Sequence, residues 1–71
     1  MEKYFDYAKI KDKIYDYYCH TTNSLAKKIN VSFSTLDNFF NPNINHRIYK
    51  DLIILARISF ALDTNIPELI A

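Results

Sequence analysis

The chain contains no glycine among its 71 residues. Tight β-hairpins, phosphate-cradling loops and strained nucleophile turns usually depend on glycine, because their backbones adopt positive φ angles. A P-loop and a dinucleotide-binding fingerprint are therefore excluded. The turns and the helix ends of this chain therefore have to be formed by asparagine, proline and residues with hydroxyl side chains.

Length and composition indicate one soluble domain over residues 1–71. Hydrophobic residues make up 49% of the chain and charged residues 24%, which is enough for a small packed core. The longest apolar run, 52–56, is far shorter than the roughly 20 residues of a membrane-spanning helix. A lone cysteine, Cys19, cannot form an intramolecular disulfide, and no apolar signal-like segment begins the chain. We therefore expect a cytoplasmic protein with no membrane association.

Apolar spacing and capping residues predict three helices in the first half of the chain. Tyr7, Ile10 and Ile14 share one face of a helix near residues 5–18. Hydroxyl and amide side chains at 21–23 precede a short helix at 24–29. Ser32 is placed to cap a third helix, which we expect over residues 33–40, before the turn that Asn41, Pro42 and Asn43 favour.

Two further helices are predicted in the second half. A strongly apolar segment extends from about residue 45 or 46 to 62, and a last helical turn contains Pro67 near its start, with Leu69 and Ile70 facing inward. The fourth helix has more apolar residues than a thin core can bury. A homodimer through this helix or through the C-terminal turn is one explanation, and a broad monomeric core is the other.

Residues 22–41 fit the helix-turn-helix pattern in detail. Ala26 is small where the two helices have to touch, and Asn30 accepts the positive φ that the turn requires. The expected inner positions are all apolar: Leu25, Ile29, Val31, Leu36 and Phe39.

Segments 25–36 and 58–70 resemble the lambda repressor/Cro-type helix-turn-helix family, also called XRE-like, and the resemblance extends over about residues 7–70. It implies an all-α, five-helix domain in which the third helix enters the DNA major groove and the second lies over the backbone. The residues that would then read bases are Ser32, Phe33, Ser34, Asp37 and Asn38. The candidates for phosphate contact are Thr22, Asn23, Lys27, Lys28, Asn43, His46, Arg47 and Lys50.

The resulting functional hypothesis is a transcriptional regulator, a repressor that binds double-stranded operator DNA as a homodimer at a pseudo-palindromic site. Isoleucine, asparagine, lysine, tyrosine and phenylalanine, whose codons are rich in A and T, supply about half of the chain, and this composition points to a phage or mobile element. The net charge of +1 is small, although residues 21–50 carry most of the positive excess.

A second hypothesis is a helix-turn-helix scaffold that binds a protein, as an anti-repressor or anti-CRISPR-type inhibitor. The predicted reading face has no arginine, lysine or glutamine, and it carries Asp37, which phosphates would repel. Phe33 and Phe40 would add apolar surface to it.

Enzymatic activity is not expected. Cys19 and His20 are adjacent and His46 is distant, so they have neither the spacing of metal ligands nor that of a catalytic pair. Asp12 and Asp16 share a helix face that lysines surround, and we expect them to be solvated. The sequence predicts no metal site and no cofactor.

Overall fold

The computed structural model describes residues 4–71, which form five α-helices and no β-strand. The helices are α1 (Tyr7–Asp16), α2 (Thr22–Lys28), α3 (Phe33–Phe40), α4 (Ile48–Ala61) and α5 (Ile66–Ile70). The all-α prediction is confirmed, and α3 has the predicted bounds. Within this described part of the chain, no helix has both the length and the apolar character that a membrane span requires.

Side chains cap the starts of four helices. Asp6, Thr21, Ser32 and Asn65 each accept a hydrogen bond from a backbone N–H in the first turn of α1, α2, α3 and α5. Thr21 and Ser24 form a capping box, in which each side chain bonds the other residue's backbone N–H at 3.0–3.1 Å. This reciprocal cap satisfies two otherwise unpaired donors, and α2 therefore begins at Thr22, two residues earlier than predicted.

Three helices are followed, within two or three residues, by a residue that has a positive φ and is not glycine. Asn30 has a φ of 59°, as predicted, and Cys19 and Asp63 have φ angles of 60° and 53°. Asparagine and aspartate tolerate this conformation because their short polar side chains can bond locally. Cys19 was not predicted to adopt it, and its side chain is exposed. α1 ends at Asp16, two residues before the predicted end.

The core is built from one side of each helix. Its buried apolar residues are Tyr7, Ile10, Ile14, Leu25, Ala26, Ile29, Leu36, Phe39, Phe40, Leu55, Ile58 and Leu69. Phe40 is only 5% exposed, so the expectation that it adds apolar surface is wrong. Ile70 is 38% exposed, because only Leu69 of the last turn points into the core, and the expectation that both face inward is also wrong.

A buried polar network joins α1, the loop between α3 and α4, and the first turn of α4. The Tyr7 hydroxyl donates to a carboxylate oxygen of Asp51, and Nδ1 of the His46 imidazole lies 3.1 Å from the same carboxylate. His46 also donates from Nε2 to the carbonyl oxygen of Asn41 at 2.7 Å. Both ring nitrogens of His46 are therefore within hydrogen-bond distance of an oxygen atom.

Ring packing completes this network. The Tyr7 ring stacks on the His46 imidazole with centroids 3.9 Å apart and planes 12° apart, and Phe39 meets the Tyr7 ring edge-on at 5.5 Å. Among residues 4–71, no buried side-chain nitrogen or oxygen lacks a hydrogen-bond partner. Burial, together with the hydrogen bond to the Asp51 carboxylate, raises the pKa of Tyr7 far above its ordinary value of 10.0.

Replacing Tyr7 tests the network. Tyr7→Phe removes a buried donor to a carboxylate, so we expect the free energy of unfolding to fall by about 1–3 kcal/mol at neutral pH. The raised pKa means that the folded state holds the phenol proton more tightly than the unfolded state does. The stability linked to this proton is therefore present below about pH 10 and is lost as the pH rises beyond the ordinary tyrosine value.

Urea unfolding followed by circular dichroism between about pH 8 and pH 11 measures both effects. We expect the wild type to lose more stability over this range than Tyr7→Phe does. Tyr17→Phe is the matched control, because Tyr17 is 75% exposed and should follow the wild type. Equal alkaline losses in all three proteins would contradict the assignment.

Candidate nucleic-acid interface

The turn between α2 and α3 has a defined geometry. The Asn30 N–H donates to the Lys27 carbonyl at 3.3 Å, and the Val31 N–H donates to the Ala26 carbonyl at 3.0 Å. These two bonds around a residue of positive φ make a Schellman motif. Ser32 follows immediately as the cap of α3, so three residues separate the end of α2 from that cap. Ala26 is 2% exposed, consistent with close approach of the two helices.

α3 divides into a buried side and an exposed side. Leu36, Phe39 and Phe40 are buried, and the predicted base-reading residues, Ser32, Phe33, Ser34, Asp37 and Asn38, are all exposed. Four of these five lie within about 140° of one another around α3, at 100° per residue. The Ser32 hydroxyl is the exception, since it accepts from the Thr35 N–H at 3.1 Å and lies 2.7 Å from the Thr35 hydroxyl.

A groove of about 250 Å³ lies between α3 and the start of α4. Asn38 lines it from α3, and Arg47 and Lys50 line it from the α4 side. The structure therefore brings one predicted base-reading residue together with two predicted phosphate-contacting cations. Thr35 and Asn45 also line the groove, and the sequence analysis missed both. A helical wheel of α3 would have placed Thr35 at the boundary between the exposed and the buried sides of the helix.

Two of the predicted phosphate contacts are buried, and this corrects their assignment. Thr22 is 4% exposed, and its hydroxyl and backbone N–H are both 3.3 Å from the Tyr15 hydroxyl. Hydrogen bonds from Thr22 lower the pKa of Tyr15 below its ordinary value. His46 is 7% exposed and belongs to the buried network with Asp51. Both side chains form hydrogen bonds inside the protein, so neither is available to contact a phosphate.

The other four predicted phosphate contacts are also exposed, but none of them lines the groove that contains Asn38, Arg47 and Lys50. Lys28 lines a second groove, of about 380 Å³, together with Asn30, Arg57 and Phe60. The remaining three exposed members are Asn23, Lys27 and Asn43. The Asn43 N–H donates to the Asn41 side chain at 2.9 Å, which orders the loop after α3.

A cation that sequence reasoning missed lies near the acidic residue of α3. Lys11 of α1 and Asp37 line the same notch, with Phe40 and Asn41. The Lys11 ammonium is also 5.8 Å from the centre of the Tyr15 ring. Nothing in the sequence connects positions 11 and 37, because their proximity depends on how α1 packs against α3. Lys11 therefore adds a positive charge to the notch that Asp37 lines.

Comparison of the chain with protein-family models, with curated proteins and with solved structures found no match. Across residues 4–71, no group of three or more histidine, cysteine, aspartate or glutamate side chains is arranged to hold a metal ion.

The turn geometry gives a direct stability prediction. Asn30→Ala places a Cβ-bearing residue without a polar side chain at a φ of 59°, and we expect it to lower the free energy of unfolding by about 1 kcal/mol. Asn30→Gly should be neutral or slightly stabilising, since glycine adopts this φ freely. Asn23→Ala, within α2, is the control for loss of an asparagine. Urea unfolding ranks the variants, and equal stability of Asn30→Ala and Asn30→Gly would contradict the analysis.

Proposed function

We propose that the chain is a sequence-specific DNA-binding protein with a lambda repressor/Cro-type fold, in which α2, the turn and α3 form the helix-turn-helix. The observation that carries this proposal is the convergence around one groove of Asn38 on the exposed side of α3 with Arg47 and Lys50 at the start of α4. An amide on a helix face reads bases, and neighbouring cations contact phosphates, so this combination suits a DNA duplex.

The exposed face of α3 has side chains that suit the major groove. An α-helix with its side chains is about 10–12 Å in diameter and can lie within a groove about 12 Å wide. The Asn38 amide can donate to and accept from one adenine, the Ser34 hydroxyl can bond several bases, and the Phe33 ring can contact a thymine methyl group. Asp37 could accept a hydrogen bond from an amino group in the major groove, either that of cytosine or that of adenine.

Contacts with the DNA backbone would come from the ends of the neighbouring helices. Arg47 and Lys50 are exposed beside α3, and Lys27 and Lys28 are exposed on the last turn of α2. Each phosphate that these cations neutralise would release counterions, so we expect the affinity to fall as the salt concentration rises. Specificity would then depend strongly on the base contacts of α3.

The regulatory role follows from this mode of binding. A homodimer would place two copies of α3 about 34 Å apart, one turn of the duplex, and would recognise a pseudo-palindromic operator. The A- and T-rich codon usage implied by the composition supports an origin in a phage or mobile element, whose own promoters would be the target. Repression would result from occupation of the promoter.

Fluorescence anisotropy with DNA from upstream of the gene, and with a scrambled duplex, tests the proposal. Specific binding should weaken as salt increases. Asn38→Ala combined with Ser34→Ala should reduce the preference for the operator by roughly tenfold or more, since a good base contact contributes about 1–3 kcal/mol. Arg47→Ala should weaken binding to both duplexes equally.

Lys9→Ala is the matched control for the loss of one cation, because Lys9 is exposed on α1 and does not line the groove beside α3. It should retain more affinity than Arg47→Ala. Absence of binding to either duplex at low salt would contradict the proposal. Unchanged operator preference in the double alanine variant would contradict the role of α3.

A protein partner is the second candidate, and one observation favours it. Phe33 is 50% exposed on the same side of α3 as Asp37, and exposed aromatic rings are common anchors at protein–protein interfaces. Phe40 does not belong to this surface, because it is buried. The protein would then act as an anti-repressor or an anti-CRISPR-type inhibitor.

Asp37→Lys separates the two candidates. It replaces a negative charge by a positive one on the exposed face of α3, so affinity for scrambled DNA should increase severalfold if the face meets phosphates. Anisotropy at low salt measures this change, with Asp16→Lys on α1 as the control for a gain of the same charge. No increase relative to that control would favour the protein-binding role.

A further inference from the structure

The outer side of α4 carries an apolar stripe, which we define as Tyr49, Ile53, Ala56 and Phe60, with Leu52 along one edge. Phe60 is 89% exposed, Tyr49 56%, Ile53 54% and Leu52 40%. At 100° per residue the four central positions lie within about 60° of one another. They are opposite the side of α4 that enters the core. Single exposed apolar residues are ordinary, but a continuous stripe over three turns of one helix indicates a contact surface.

The spacing of the stripe is the same in both directions. From Tyr49 the steps to the next members are four, three and four residues, so the pattern is unchanged when the helix is reversed. Two copies of α4 packed antiparallel, with the two-fold axis between residues 54 and 55, would place Tyr49 opposite Phe60 of the second copy. Ile53 would then lie opposite Ala56 of the second copy. A two-fold interface requires this kind of self-complementary surface.

We propose that the α4 stripe is the interface between two copies of this chain, with the two α4 helices antiparallel. The proposal names a surface for the homodimer but does not depend on DNA binding, since the stripe is separate from the groove beside α3. A heterologous partner would not require a reversible spacing, which is why a second copy is the favoured occupant.

The shape of the surface fits this pairing. The 380 Å³ groove lies at the Phe60 end of the stripe, between the end of α2 and α4, and Ala56 and Ala61 form part of its wall. In the antiparallel arrangement Tyr49 of the second copy is level with this groove and can place its ring there. At the centre, a large side chain, Ile53, meets a small one, Ala56, so the two helix backbones can approach closely.

The charges near the stripe are compatible with the same arrangement. No charged residue belongs to the stripe. Arg57, on its edge, donates from its guanidinium to the Ile29 carbonyl at 3.3 Å, so this charge is held toward α2 of its own copy. Antiparallel packing also places the N-terminal end of each α4 beside the C-terminal end of the other, which is the favourable arrangement of the helix dipoles.

The size of the stripe predicts the strength of the association. Two aromatic and two branched aliphatic side chains, partly exposed, offer on the order of 400 Å² per copy, which is less than the roughly 800 Å² of a standard interface. We therefore expect a dissociation constant in the micromolar range. Such a dimer would form readily in a concentrated solution and would dissociate on dilution.

Sedimentation equilibrium without DNA tests the proposal, over roughly a hundredfold range of concentration around the micromolar value. The variants are Tyr49→Lys and Phe60→Glu, measured singly and as an equimolar mixture. Each single variant should weaken association by about tenfold or more, because it removes an aromatic contact from both ends of the interface. The mixture should recover a heterodimer, in which the new lysine of one copy meets the new glutamate of the other.

Tyr17→Lys is the control, because Tyr17 is 75% exposed at the end of α1 and lies outside the stripe; it should associate like the wild type. All three substituted side chains are more than half exposed, and circular dichroism verifies that the variants keep the helical fold. A wild type that is monomeric at every concentration would overturn the proposal, as would undiminished association of Phe60→Glu. Failure of the mixture to recover would overturn the antiparallel pairing, since parallel helices would hold positions 49 and 60 about 16 Å apart.

Discussion

The hydrogen-bonded contact among Tyr7, Asp51 and His46 determines how the two halves of the chain fit together. Tyr7 belongs to α1, Asp51 to the first turn of α4 and His46 to the loop before it, and the Asn41 carbonyl extends the contact to the end of α3. Arg47 and Lys50 lie within one turn of this network. Its geometry therefore fixes where these cations stand relative to the exposed face of α3, and the proposed DNA contacts depend on it.

A buried polar network in so small a core contributes more to geometry than to net stability. Desolvation of the buried polar groups offsets much of their attraction, whereas leaving any one of them without a hydrogen-bond partner would be strongly unfavourable. Directional hydrogen bonds and the stacked rings of Tyr7 and His46 hold one arrangement of the α3–α4 loop. An apolar contact of the same volume would bury this loop without fixing its orientation.

The two long sides of α4 have different roles. One side, with Leu55 and Ile58, completes the core, and the other exposes Ile53 and Phe60 to solvent. This division explains why α4 is so apolar around its circumference: a single thin core uses only part of it. If α3 reads DNA and α4 pairs two copies, each activity has its own surface, and substitutions on α4 can change association without altering the groove that Asn38 lines.

The sequence by itself determined the number of helices, the bounds of α3 and the positive φ at Asn30, because these depend on local spacing, capping side chains and the conformational range of single residues. It also placed Phe33, Ser34, Asp37 and Asn38 on the exposed side of α3, but it wrongly assigned Phe40 to that side. Only the tertiary structure showed that His46 and Thr22 are buried. Their chemical type alone had made them candidates for phosphate contact. Only tertiary packing placed Lys11 beside Asp37 and Asn38 beside Arg47, because the distance between residues far apart in the chain depends on how whole helices dock, and no local pattern encodes that docking.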